Sequence, residues 1–232
     1  MPAPVSVIIP TLDVADRIGP CLGALAEGLD AGLLRELILA DGGSTDAIEA
    51  VADAVGARLV RTARGRGQQL AAGARAARGT WLLVVHADTV LAPGWSRAVL
   101  AQIRARPGMA GYFRLRFDAA GIFPRLVAGW ANLRSRLFGL PYGDQGLLIP
   151  RGLYDRVGGY PEIALMEDVA IARALRGRLC ALPAWAVTSA ERYRAEGWLR
   201  RGARNLGTLA RYLLGTPPGL LAARYDRERR HG

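Results

Sequence analysis

The chain has 232 residues, 51% of them hydrophobic, and a formal net charge of +11. That is apolar material for one substantial core, most simply a single α/β domain. Every one of the 31 basic residues is arginine, so the charge reflects a coding bias at least as much as a partner, and no nucleic-acid partner is expected. The two cysteines, Cys21 and Cys180, stand far apart among apolar residues, as buried thiols of a reducing compartment do, which argues against a disulfide framework or a metal cluster. The first apolar run, VSVII, is short and leads into Pro10, and no run approaches a membrane span. The expectation is a cytoplasmic protein, soluble or held at the inner face of the membrane.

In chain order, VSVIIPT reads as a buried strand and DRIGPCLGALAEGL as a helix. ELILA is a second strand that ends on Asp41, with GGSTD after it: two glycines for a tight turn, then Ser44 or Thr45 as the cap of a helix over 46 to 54. ARLVRT is a third strand, GQQLAAGARAA a helix and WLLVV a fourth strand that stops on His86, Ala87, Asp88 and Thr89. Strand and helix in alternation predict a parallel sheet with helices on both faces. Ligands bind beyond the carboxyl ends of such strands, where Thr11, Asp13, Asp41 and Asp88 all lie. A carboxylate at that place is costly unless something positive holds it.

Past residue 107 the pattern changes. GYFRLRF alternates like a half-solvated strand, 121 to 138 reads as a helix, and YGDQGLLIP as a short strand after a tight turn. MEDVAIARALRG places Glu167 and Asp168 in the first turn of an amphipathic helix ended by Gly177. The helix dipole favours acids there, but capping does not require two in a row. From Arg192 to Arg230 arginines outnumber acids and alternate with Trp198, Tyr212 and leucines, a basic amphipathic tail. A helix over 197 to 214 either lies on an anionic membrane or packs its apolar face on the domain. Trp130 and Phe138 either line an acceptor groove or pack.

The segments VSVIIPTLDVADRI, ADGGSTD, GRGQQLAAGA, VVHADT, GDQGLLI, GGYPEIALMEDV and TSAERYRAEG resemble, in order, the motifs of family 2 glycosyltransferases of the GT-A fold. The resemblance runs from Val5 to about Tyr225, and within the family the chain is most similar to the small bacterial subgroup labelled radical-SAM/selenodomain-associated transferases. It implies a GT-A, Rossmann-like α/β fold: a mostly parallel central sheet flanked by helices, with a C-terminal helical basic segment. Residues 1–106 would form the nucleotide-binding half, 107–195 the acceptor and catalytic half, and 196–232 the tail.

The resemblance also implies chemistry: a metal-dependent inverting transfer of a hexosyl unit from a nucleoside diphosphate sugar, UDP-linked, to a hydroxyl acceptor, with a lipid or polyprenyl phosphate among the candidates. The cofactor would be Mg or Mn. Asp88 matches the last carboxylate of the family's D-x-D strand end and so the metal ligand. His86, at the first position of that motif, would contact diphosphate or sugar, or pack as a neutral ring. Asp41 matches the acceptor of a hydrogen bond from the base, Pro10, Thr11 and Asp13 the nucleoside contacts, and Arg66 the arginine against base or diphosphate. Asp168 matches the general base, with Glu167 orienting acceptor or backbone. Gly143, Asp144 and Gln145 resemble the sugar- and acceptor-side loop, and Arg192 the arginine that neutralises the donor when a loop closes. The sequence departs from the family pattern at Asp13 and Ala71, where asparagines are common, and at Glu191 and Tyr193. Two rival functions stand beside this one: a sugar-nucleotide-binding protein without transfer activity, and a sugar nucleotidyltransferase. The latter would be expected to carry a lysine and a Gly- and Arg-rich loop after its first strand.

Overall fold

The structure, a computed structural model, describes residues 3–230, with side chains through Arg224. Its first half alternates strand and helix as the sequence predicts: β1 (Val5–Thr11), α1 (Gly19–Asp30), β2 (Leu34–Asp41), α2 (Ile48–Ala54), β3 (Arg58–Arg61), α3 (Arg66–Ala76) and β4 (Trp81–Val84). β3, β2, β1 and β4 are neighbours and parallel. Successive residues of β1 are buried on opposite faces. Val5, Val7 and Ile9 meet α1 and α4 (Trp95–Ala105), while Ile8 meets α3, so both faces are covered.

The second half adds β5 (Thr89–Leu91), β6 (Ala110–Phe117), α5 (Ile122–Phe138), a 3-10 turn over Gly143–Gln145, β7 (Leu147–Pro150), α6 (Arg151–Arg156), α7 (Glu167–Ala174) and β8 (Leu179–Thr188). The eight-stranded sheet has the order β3-β2-β1-β4-β7-β6-β8-β5. β7 is antiparallel to β4 and β6, β8 is parallel to β6, and β5 is antiparallel to β8. The result is a GT-A-like α/β fold with a mixed sheet. After β4 the chain re-enters the sheet at its far edge, and the four residues between, Val85 to Asp88, bridge the two halves.

Two local readings are corrected, and two elements are added. Neither Ser44 nor Thr45 caps α2, whose preceding residue is Ala47; the Ser44 hydroxyl is spent on Asp41, and Asp46 Oδ1 instead accepts the Ile48 N–H at 3.2 Å. β8 and α4 were not legible as elements. α7 also ends earlier, at Ala174, with Gly177 in the turn beyond at φ +78°.

The tail forms α8 (Glu191–Glu196), α9 (Trp198–Leu213) and α10 (Pro218–Arg230). Trp198 and Tyr193 stack at 4.8 Å and both meet Phe117 edge-on, which docks α8 and the start of α9 beneath β6. Arg201 is buried and paired with Glu196 at 2.6 Å, and Arg204 pairs with the same carboxylate. One face of α9 therefore packs on the domain while the other is exposed. The tail's Arg227, Arg229 and Arg230 lie outside the described side chains.

Gln69 of α3 is the tie between the ends of β1 and β2. Its buried amide Nε2 donates to the carbonyls of Thr11 at 2.6 Å and Ala40 at 3.0 Å. Gln69→Leu removes both of these buried hydrogen bonds, and the expected loss of stability in urea unfolding is about 2 kcal/mol. An unchanged midpoint would show that the ends of β1 and β2 are held by the ladder alone.

Candidate functional site

The carboxyl ends of β1 and β2 meet in a dense polar network. Asp41, 3% exposed, accepts from the hydroxyls of Ser44 and Thr11 at one oxygen, and from the N–H groups of Gly43 at 3.1 Å and Ser44 at 3.0 Å at the other. Burial pushes its pKa up, but the hydrogen bonds from Ser44, Gly43 and Thr11 more than reverse this and hold it below the usual carboxylate range. Asp13 stands in the left-handed region at φ 49°, a conformation that Asn and Asp tolerate better than other side chains. Its Oδ1 accepts the Thr45 N–H at 2.8 Å, and its own N–H donates to Ser44 Oγ at 2.9 Å. Thr11, Asp13 and Asp41 are thus brought together by the loop after β2. Pro10 lies half-buried one step back in β1, opposite Ala40.

Beyond β4, His86 and Asp88 leave the sheet together. The His86 imidazole lies against Gly143: a Cβ at that glycine would come 2.4 Å from two ring atoms, so only glycine fits there. Burial, then the charge of Arg66, depresses the His86 pKa to about 3, with Arg192 adding to the effect. The ring is therefore neutral across the physiological range, and Arg66 and Arg192, from α3 and α8, send positive potential into the same space. Asp88 is exposed at the strand end. Among the described residues, no three His, Cys, Asp or Glu side chains form a cation cage. The donor set at Asp88 fits a hard cation that brings water and phosphate oxygens as its other ligands.

The opposite wall is the start of α7, entered through Met166 at φ 70°. Asp168 Oδ2 accepts the Gly143 N–H at 2.8 Å and Oδ1 the Val169 N–H at 2.7 Å. Glu167 is 1% exposed, with Arg66 Nη1 3.7 Å away. Burial, then the neighbouring Asp168 charge, pushes the Glu167 pKa up to about 7. A small cavity lined by His86, Tyr142, Gly143, Glu167 and Asp168 joins this wall to the end of β4.

The turn between α5 and β7 divides its residues by role. Gln145 does not face the crevice. It is fully buried, its Oε1 accepting from Ser135 Oγ at 2.6 Å and its Nε2 donating to the Phe113 carbonyl at 3.2 Å, so the expectation that it binds substrate hydroxyls is corrected to a structural tie. Asp144 is different: its Oδ1 is buried with no hydrogen-bond partner among the described residues, and burial pushes its pKa up to about 6 against the pull of Arg134. Tyr142 Oη and Arg134 Nη2 are likewise buried without hydrogen-bond partners, with the Arg134 guanidinium 3.4 Å over the Tyr142 ring. The sequence reading passed over both. Arg134 falls in helical register with Ala131 and Ser135 on the inward face of α5, and an arginine at a core-facing helical position was the available signal. Arg192 is exposed on α8, and Glu191 and Tyr193 point respectively to solvent and into the aromatic cluster.

The model of the family described as glycosyl transferase family 2 matches residues 6–154. A PGL/p-HBAD biosynthesis glycosyltransferase of Mycobacterium tuberculosis is 39% identical over 171 residues, covering 69% of this chain and 64% of that one. The chain spans less than two thirds of the length of the curated relatives it matches first. Among solved structures, mannosyl-3-phosphoglycerate synthase from Rubrobacter xylanophilus superposes with a TM-score of 0.63 at 20% identity, covering 92% of this chain and 74% of that one. Glucosyl-3-phosphoglycerate synthase from Mycobacterium tuberculosis, in complex with Mn2+, UDP and phosphoglyceric acid, superposes with a TM-score of 0.54 at 21% identity, covering 77% of this chain and 68% of that one. These likenesses carry the fold, and the family match over more than half of the chain carries the kinship: the protein belongs to glycosyl transferase family 2.

Proposed function

We propose that the protein transfers a hexosyl unit from a UDP-linked sugar to a hydroxyl acceptor, with inversion at the anomeric carbon and with Mg or Mn as cofactor, and that it belongs to the radical-SAM/selenodomain-associated subgroup. Residues 1–106 hold the donor and 107–195 the acceptor and the catalytic base. The observation that carries this reading is Asp168, a carboxylate clamped by the Gly143 N–H on one wall of a cavity whose other wall is the end of β4. The Mn2+ and UDP named with the glucosyl-3-phosphoglycerate synthase structure support the donor and cofactor.

On this reading each Asp168 oxygen accepts one backbone N–H and keeps a lone pair for the acceptor hydroxyl. The carboxylate takes the hydroxyl proton as the oxygen attacks the anomeric carbon, and the bond from that carbon to the diphosphate oxygen breaks on the opposite face. An α-linked donor then gives a β-linked product. Arg66 and Arg192 hold the diphosphate by charge, and Asp88 holds the cation. When bound, that cation supplies counter-charge to the leaving diphosphate. A base N–H reaches Asp41 by displacing one of the two hydroxyls that now occupy Oδ1. The unpartnered polar atoms of Arg134, Tyr142 and Asp144 supply the donors and acceptors that sugar or acceptor hydroxyls require.

Glu167 orients the site from a position that resists ionisation. Its folded-state pKa is raised, so the stability it contributes is fully present below its ordinary value of 4.5 and is lost as pH rises to about 7. The wild type is therefore expected to lose on the order of 3 kcal/mol between pH 4.5 and pH 8 from this group, and Glu167→Gln to lose none of it. Urea unfolding at both pH values checks this, and an identical pH difference in the two proteins would show that Glu167 ionises without cost. For the chemistry, Asp168→Asn keeps the Gly143 contact but cannot take a proton, and turnover is expected to fall by roughly 100-fold or more while nucleotide affinity holds. Turnover within a few-fold of wild type would remove Asp168 from the mechanism.

A further inference from the structure

The outward face of α5 is apolar in a way that the fold does not require. Ile122, Leu126, Trp130, Leu133 and Leu137 recur at helical spacing and are each 45 to 67% exposed. They lie on the side opposite Pro124, Ala128, Ala131 and Ser135, which pack on the domain. α9 packs beside α5 and repeats the pattern, with Leu199, Leu206 and Leu213 exposed one heptad apart while Arg201, Thr208 and Leu209 face inward. Leu213 joins Leu133 and Leu137 in lining one groove, so the two stripes form a continuous surface.

Charge frames that surface. Arg125 and Arg136 on α5, and Arg200 and Arg211 on α9, are exposed along its margins, and neither helix carries a single carboxylate. Among the described residues the groove adds Arg173 and Arg176 and no acidic residue. We propose that this α5–α9 face docks on an anionic lipid bilayer, its leucines and Trp130 entering the interfacial region and its arginines meeting lipid phosphates. A second copy of the chain is the less fitting occupant, because self-association would set arginine against arginine. The proposal goes beyond the transfer reaction and does not depend on it.

The test is co-sedimentation of the full chain, without nucleotide, with vesicles of phosphatidylcholine alone or mixed with phosphatidylglycerol. The bound fraction is expected to rise by roughly tenfold or more on the anionic vesicles and to fall with salt. The variant Leu126→Glu/Leu133→Glu/Leu137→Glu, which alters only exposed side chains, is expected to melt like wild type and to lose vesicle binding. Arg125→Gln/Arg136→Gln should keep the apolar stripe and bind anionic vesicles several-fold more weakly. Absence of wild-type binding to anionic vesicles, or full retention by the triple glutamate variant, overturns the proposal. So does a concentration-dependent dimer that the triple variant abolishes without any vesicle binding, which would give the face to a second copy. None of these results bears on nucleotide binding.

Discussion

The site is organised around two carboxylates placed side by side where a helix begins. Glu167 sits almost wholly out of water and Asp168 half in it, and each is answered by a different part of the chain: Glu167 by Arg66 of α3, Asp168 by the Gly143 N–H of the turn before β7. Burying an acid beside a charged neighbour is expensive, and the raised pKa of Glu167 is the measure of that expense. The arrangement persists because the backbone around it leaves no room to relax. A Cβ at Gly67 would come 2.4 Å from the Pro161 carbonyl, and one at Gly143 would strike His86, so α3, the loop before α7 and the crossing after β4 close on the acid pair from three sides.

The ends of β1 and β2 follow the opposite rule. Asp41 is equally buried yet ionises readily, because four hydrogen bonds replace the water it has lost. Two of these come from hydroxyls, which can rotate away where a backbone N–H cannot, so another donor can compete for Asp41 Oδ1 without unravelling the loop. The two halves of one crevice thus hold one carboxylate in charged form and keep another close to neutrality.

Much of this was legible in the sequence because local pattern and tertiary placement agree. The parallel half shows buried strands punctuated by glycine turns, and its strand-end carboxylates fall where the topology places ligands. What escaped did so for identifiable reasons. β8 contains Pro183, and its ladder with β6 slips between Tyr112 and Arg114, opposite that stretch, so the run LCALPAWAVT lacks the signature of a strand. α4 has no local cap; its first N–H groups at Gly94 and Ser96 donate to Glu27, a partner 67 residues away for Gly94 and 69 for Ser96. Gln145 resembles a substrate-side residue by position, yet the amide turns inward to tie α5 to β6. Arg134 was missed because an arginine within a helix reads as surface unless its register with Ala131 and Ser135 on the inward face is followed.

The exposed apolar face of α5 and α9 stands outside this logic of closure, and its arginine margin gives the protein a surface of different chemistry from its crevice. The account's central claim concerns the crevice, and one measurement tests it most directly: calorimetric titration of UDP, GDP, dTDP, CDP and ADP into the purified protein, with Mn and again with EDTA. The account predicts that UDP binds in the presence of Mn and that binding is lost in EDTA. Failure of every diphosphate to bind, or equal UDP affinity with and without the metal, would contradict it.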